Sequence, residues 1–431
     1  MRLLIIGAGP GGYETAIEAV RRGMEVTLIT EGPLGGTCLN EGCIPTKTLC
    51  HYAGIEEQRR KAGAGTISDF REVINRKNEV VSQLRGGVET LMRGVTIVSG
   101  KASFKDSHTV IAGGQEYSAD RIIIATGSKS ALLPVPGAEG TLTSRELLDL
   151  TEIPSSLCII GGGVIGLEFA SIFNSFGTQV TVLEYCKEIL PRFDADLAKR
   201  LRLALGKRGI RIETQAQVTA VEGSTVRYIK KETECPVTAD KVLMAVGRVP
   251  AVDGLNLEAA GIEYGRRGIA VDAYCRTSVP GIYAVGDVTG GMMLAHVASY
   301  QGLRALNDMV GKSDRIRFDV VPAAVFTVPE VATVGMTEEE CRDKGIEFRA
   351  LKSFYRANGK AVSMDQSDGY CKILASAADN RILGCHILGV CSSDLIHEAA
   401  VLMNMNATVD DLHDMIHAHP SLSEILQSAV H

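Results

Sequence analysis

The feature that most constrains this chain is an internal repeat. LLIIGAGPGGYETA at 3–16 returns as LCIIGGGVIGLEFA at 157–170. In each copy a short apolar strand runs into G-x-G-x-x-G, formed by Gly7, Gly9 and Gly12 and then by Gly161, Gly163 and Gly166. A helix-like stretch follows, and a second strand ends in an acid, Glu31 in the first copy and Glu184 in the second. The first glycine precedes that acid by 24 residues in one copy and 23 in the other, the spacing of a dinucleotide-binding βαβ unit. The chemistry explains the pattern. The first glycine makes the strand-to-helix turn, and the second lets a pyrophosphate touch the backbone. The third allows close helix–strand packing, with the phosphates on the helix N-terminus. The carboxylate accepts from ribose hydroxyls. One such pattern is weak evidence; two complete copies are specific.

Strands at 121–127 and 242–248 also end in glycine turns and predict a return of the chain to each nucleotide edge. A third, at 281–287, predicts a late return to the first sheet, so that the second unit is an insertion in the first. From about residue 313 the pattern changes to apolar alternation and C-terminal helices, as in an α+β domain. The expected fold class is α/β. Two Rossmann-like dinucleotide-binding domains, the second inserted in the first, precede a C-terminal α+β domain. The boundaries expected are 1–145, 146–265, 266–312 and 313–431.

Composition narrows the function. The 46 glycines in 431 residues suit tight turns and close backbone approaches. A net charge of -6, from 45 basic and 51 acidic residues, argues against nucleic acid or an anionic membrane as partner. No apolar run approaches the ~18 residues of a membrane span, and Leu3–Ile6 is too short for a signal peptide. Eleven cysteines are too few for a disulfide-stapled scaffold and odd in number. A soluble, cytoplasmic protein with at most one special pair is expected.

That pair is Cys38 and Cys43, in GGTCLNEGCIPTK at 35–47. Pro45 suits the first turn of a helix, where the dipole favours a thiolate at Cys43. Half of a zinc site, two inert thiols and a redox-active pair are the readings open to such cysteines. Zinc would need two further ligands at comparable spacing, and only Cys50 and His51 lie nearby. Beside a nucleotide fold, the redox pair is the better reading.

This segment resembles the redox motif of the FAD-dependent pyridine-nucleotide disulfide oxidoreductases, and within them it looks most like the dihydrolipoyl dehydrogenases. The resemblance runs on through ATG at 125–127, AVGR at 245–248, YAVGD at 283–287, Leu294-Ala295-His296, VPAAVFTVPE at 321–330 and HAHPSLSE at 417–424. It implies FAD on the first unit, held by Gly7, Gly9, Gly12, Glu31, Gly36, Thr37, Lys47, Thr126, Gly127, Asp287, Ala295 and His296. It implies NAD on the second, held by Gly161, Gly163, Gly166, Glu184 and Gly247; Glu184 would repel a 2′-phosphate. The C-terminal domain is expected to be a dimerisation domain.

The resemblance also implies catalytic roles. Cys38 is the interchange thiol and Cys43 the charge-transfer thiolate. Lys47 pairs with Glu168 near the flavin, although the two could form a purely structural ion pair. His419, oriented by Glu424, is the general base, with His417 as its rival, and the dyad serves the disulfide of the other subunit of a homodimer. The implied reaction oxidises a dihydrolipoyl group to lipoyl, with electrons passing through Cys38–Cys43 and FAD to NAD+. The partner is then a lipoyl-carrying protein of a 2-oxo-acid dehydrogenase complex or of a glycine cleavage system. The His419–Pro420 bond is expected to be cis.

Some positions depart from the family pattern. Glu41 puts a negative charge between the cysteines, where it either raises thiol pKa values or faces solvent. Lys129-Ser130 and Tyr300-Gln301 are unusual, and only 12 residues follow His419. Two rival readings are a related reductase of another disulfide, a metal ion or a quinone, and a non-catalytic subunit that keeps the fold.

Overall fold

The computed structural model describes residues 1–64 and 69–431. Its first sheet is parallel, with strands in the order Ile282–Ala284, Arg121–Ile124, Arg2–Ile6, Glu25–Thr30 and Val95–Ser99. The inner strands Arg2–Ile6 and Arg121–Ile124 read as nearly unbroken apolar runs because both faces are covered. Alternate residues point to opposite faces. Leu3 and Ile5 enter one core with the helix Pro10–Arg21, while Leu4 and Ile6 enter another with Phe104, Val110 and Ala112 of a three-stranded antiparallel sheet.

The second sheet repeats this plan. Lys241–Met244, Ser156–Ile160, Gln179–Glu184 and Arg211–Thr214 lie parallel in that spatial order. Leu157 and Ile159 face the helix Val164–Ser175. Cys158 and Ile160 face Val218, Val226 and Tyr228 of a second antiparallel meander. The strand Ile282–Ala284, which closes the edge of the first sheet, therefore arrives only after the whole second unit. A short two-stranded ladder, Ser128–Ser130 with Arg248–Pro250, ties the two nucleotide ends together.

The C-terminal region is a five-stranded antiparallel sheet in the order Ala323–Val325, Val331–Gly335, Ile382–Leu388, Tyr370–Ser376 and Phe348–Phe354. The helices Ser392–Asn404 and Glu424–Val430 pack on it around Ile373, Ile387, Ile396 and Leu426. Of the apolar stretch at 321–326, Ala323–Val325 alone form the first of these strands. Among the described residues no helix is long and apolar enough to cross a membrane.

Candidate active site

A cavity of about 770 Å³ opens at the C-terminal ends of the first sheet, and the first glycine turn forms part of its wall. Gly7 has φ +108, and a Cβ there would lie 2.3 Å from the Ala125 carbonyl oxygen; one on Gly12 would lie 1.9 Å from that of Gly7. These two positions close the turn. Gly9 is different: a Cβ there meets nothing within 4 Å. The protein leaves space over Gly9, at the N-terminus of the helix Pro10–Arg21, whose first turn carries no acidic residue. An uncancelled helix dipole and open backbone suit a pyrophosphate. Glu31, just past the end of its strand, is exposed and lines the same cavity with Asp287.

The cysteines lie at a junction of two helices. Cys38 is inside Gly36–Glu41, Gly42 breaks the backbone with φ −142 and ψ −109, and Cys43 starts Cys43–Lys61. The break brings their Cα atoms to 4.6 Å, and the two are joined as a disulfide. The redox helix presses on the glycine turn: a Cβ on Gly36 would lie 2.5 Å from Gly9 Cα. The disulfide thus lies in the wall of the cavity, along with Thr37, Thr126, Gly127 and Ala295.

One turn beyond Cys43, Lys47 reaches Glu168 of the helix Val164–Ser175. Its Nζ lies 2.9 Å from each carboxylate oxygen and 4.5 Å from the centre of the Phe326 ring. Glu168 is buried and also accepts from the Phe326 N–H at 3.0 Å. Both ends of the pair line the cavity, as the disulfide does. Cys50, on the same helical face, is not a third redox thiol. Burial, and then the charge of Glu168, push its pKa up and keep it protonated, with its S–H donating to the Phe326 carbonyl at 3.4 Å.

The second glycine turn mirrors the first. Gly161 has φ +112 and would place a Cβ 2.4 Å from the Ala245 carbonyl oxygen, and a Cβ on Gly166 would meet Gly161 O at 2.1 Å. Gly163 and Gly247 face open space. Glu184 is 7% exposed, unlike Glu31. Its two oxygens accept from the backbone N–H groups of Gly162 at 2.6 Å and Cys186 at 2.7 Å. That fixes the carboxylate while each oxygen keeps acceptor capacity for a ribose hydroxyl.

His419 lies far from this machinery in the sequence and is not among the cavity residues; neither is Glu424. The imidazole Nδ1 is 2.9 Å from Glu424 Oε1, and the side chain is 78% exposed. The Ser421 N–H, followed by His419, holds the Glu424 carboxyl below the usual range. An ionised carboxylate can only accept, so Nδ1 carries the hydrogen and Nε2 keeps its lone pair. The rival His417 is 7% exposed and tied to Glu398 at 2.7 Å. His296 also turns from the cavity, its Nε2 2.9 Å from the Pro322 carbonyl oxygen. The His419–Pro420 and Val328–Pro329 bonds are cis.

Comparison with known proteins agrees over the full length. Residues 1–302 match the model of the pyridine nucleotide-disulphide oxidoreductases, and residues 321–430 match the dimerisation domain of that family. The chain is a pyridine nucleotide-disulphide oxidoreductase. This oxidoreductase is 40% identical to a dihydrolipoyl dehydrogenase of Bacillus subtilis (strain 168), over 100% of this chain and 98% of that one. It is 41% identical to the dihydrolipoyl dehydrogenase of Geobacillus stearothermophilus, over 99% and 94%. Among solved structures it superposes on the HOCl-induced flavoprotein disulfide reductase RclA from Escherichia coli with a TM-score of 0.90 at 34% identity, covering 100% and 99% of the two chains. LpdA from Mycobacterium tuberculosis gives a TM-score of 0.91 at 30% identity, covering 100% and 99%.

Two polar arrangements in the oxidoreductase escape a reading of its motifs. Arg248 Nε donates to Ser128 Oγ at 2.7 Å, and Ser128 Oγ donates to Asp287 at 2.5 Å, so that the ladder joining the two units also orients a cavity carboxylate. Glu41 neither stands bare between the thiols nor simply faces solvent. It pairs with Arg145, which enters from the segment leading into the second unit.

Proposed function

We propose that this oxidoreductase is a dihydrolipoyl dehydrogenase, oxidising protein-bound dihydrolipoyl groups to lipoyl with NAD+ as acceptor. The observation that carries the reading is the Cys38–Cys43 disulfide in the wall of a nucleotide cavity, with the Lys47–Glu168 pair beside it. His419, oriented by Glu424, takes a proton from one substrate thiol, and the thiolate attacks Cys38. Cys43 leaves as a thiolate next to the positive charge of Lys47. The second substrate thiol then attacks the mixed disulfide, releasing the cyclic lipoyl disulfide and the Cys38 thiol. Two electrons have entered the pair, and oxidation back to Cys38–Cys43 balances reduction of NAD+ to NADH and a proton. FAD, when bound, supplies the relay that accepts electrons from the dithiol and passes them to NAD+.

The first glycine turn, Glu31, Asp287, Gly36, Thr37, Thr126, Gly127 and Ala295 are the residues that would hold FAD. The second turn and Glu184 would hold NAD(H), with Gly247 beside them. We infer a homodimer in which each dyad of His419 and Glu424 serves the partner's disulfide; its exposure and its separation from the cavity support this. A lipoyl-carrying protein is the partner, the cytoplasm is the compartment, and the division at 145, 265 and 312 is the domain plan. A second reading, reduction of another electron acceptor, is favoured by the likeness to RclA.

The test is NADH formation by the flavin-loaded protein given dihydrolipoamide and NAD+, with NADP+ as control. Rapid turnover with NAD+ alone supports the proposal. Failure in a protein that holds FAD turns the reading toward other acceptors.

A further inference from the structure

After each acid the chain has to come back to its own glycine turn, and the second unit does this in a way that leads out of the unit. Leu190 donates its N–H to the Gly162 carbonyl at 3.0 Å. Ile189 lies against Gly162, so that a Cβ there would be 3.1 Å from its Cγ2. Four residues past Leu190, Asp194 caps the helix Ala195–Lys207 by accepting from Leu197 N–H at 3.2 Å.

The strongest partner of Asp194 belongs to the C-terminal sheet. Lys372 Nζ lies 2.5 Å from Asp194 Oδ1 and 2.8 Å from Glu338 Oε1, and the Lys372 side chain is 0% exposed. The Glu338 N–H approaches Asp194 Oδ2 at 3.5 Å. His386 pairs with Lys372 across the sheet. Its ring is bonded to the Thr333 hydroxyl at 2.6 Å and the Met336 carbonyl at 3.0 Å. Burial holds its pKa down to about 4, so it adds no second cation beside Lys372. A fully buried ion pair is a poor source of net stability, because desolvation offsets its attraction. It is strict about geometry, however, since either charge without the other is costly. The pair joins a rigid sheet to the end of the loop that runs from Glu184 past Gly162.

We propose that Lys372 is a positioning residue for the nicotinamide nucleotide. By fixing Asp194 it holds the 185–193 loop, and through that loop Gly162 and Glu184, in the arrangement that receives a ribose and a pyrophosphate. The inference rests on the reading of the second glycine turn as the NAD(H) site.

The flavin-loaded enzyme tests it with two variants, Lys372→Met, which keeps most of the side-chain length without charge, and Asp194→Asn, which keeps a helix cap. Five quantities are compared with the parent: flavin content, calorimetric affinity for NADH, KM for NAD+, kcat at saturating NAD+, and anaerobic flavin reduction by dihydrolipoamide without nucleotide. We expect NADH affinity to fall and KM for NAD+ to rise by about tenfold in both variants. Flavin content, the half-reaction and kcat at saturating NAD+ stay within about twofold, which a merely structural role would not separate. Unchanged NADH affinity in a flavin-loaded variant overturns the proposal. So does a parallel loss of flavin, half-reaction and affinity in both variants. A parent enzyme that binds no NADH fails the underlying reading instead and takes the inference with it.

Discussion

The two glycine turns start from the same plan. Gly7 N–H donates to Ile29 O and Gly161 N–H to Leu183 O, both at 2.8 Å, and in each the third glycine packs under the carbonyl of the first. They part after the acid. In the first unit Gly35 N–H returns to Ala8 O at 2.9 Å and Gly36 presses on Gly9, so the redox helix is built onto the wall of the cavity. In the second unit the equivalent return is made by Leu190, and it leads not to a catalytic helix but to Asp194, gripped by another domain. The acids differ to match: Glu31 is exposed in its cavity, whereas Glu184 is buried and held by two backbone N–H groups. One βαβ unit thus serves two purposes. A site built onto a reactive group suits a resident cofactor, and a site with a preset carboxylate suits one that exchanges at every turnover.

The comparison breaks most visibly at the third glycines. Gly12→Ala should give colourless protein without turnover, because its Cβ would fall 1.9 Å from Gly7 O. Gly166→Ala, at 2.1 Å from Gly161 O, should keep its flavin absorbance and its reduction by dihydrolipoamide while losing turnover with NAD+. Loss of flavin from both would show that the turns are not independent. Cys43→Ser should abolish dihydrolipoamide oxidation yet leave NADH-driven reduction of a one-electron dye, which uses both nucleotide sites and bypasses the disulfide. His419→Gln should lower dihydrolipoamide turnover by about 10²–10⁴ and spare the same dye reaction.

Acid should act on the seam of the second unit. His386 has a native pKa near 4 and an unfolded value of about 6.5. Between these values the unfolded chain binds a proton that the native protein does not, so stability is present above pH ~6.5 and falls as the pH drops toward 4, by up to about 3 kcal/mol. Thermal melts of His386→Asn across that range should be flatter than those of the parent; equal slopes would show that His386 does not carry the effect. The smallest effect is expected at Glu41–Arg145, where Arg145 is 62% exposed. Glu41→Gln should change stability in a denaturant titration by less than about 1 kcal/mol.

Legible in the sequence was whatever depends on local chemistry. Gly12 and Gly166 are fixed by the carbonyls of Gly7 and Gly161 inside one βαβ unit, and Cys38 and Cys43 by their closeness in sequence, whereas Gly7 and Gly161 are crowded by Ala125 and Ala245 of a later strand. The strand at 281–287 announced itself by its glycine turn even though its neighbour in the sheet, Arg121–Ile124, is remote. Of the partnerships that form only when separate units pack, Lys47–Glu168 was implied by the resemblance, and others were not legible. Glu41 and Arg145 are 104 residues apart, and Asp194 and Lys372 are 178 apart. A lysine in the middle of Tyr370–Ser376 gives no sign of its burial until the sheet meets the second unit. The short helix that holds Cys38 was not legible either; left-handed Gly35 precedes it and the backbone break at Gly42 ends it.

The late edge strand sets an order on synthesis. The second sheet draws its four strands from residues 156–244, a continuous stretch, and can close as soon as that stretch has left the ribosome. The first sheet begins with residue 2 but waits for Ile282–Ala284, and Asp287 of its cavity comes later still. The part of the chain made first is therefore finished after the part made second. During that interval the nascent chain carries an unpaired apolar edge at Arg121–Ile124.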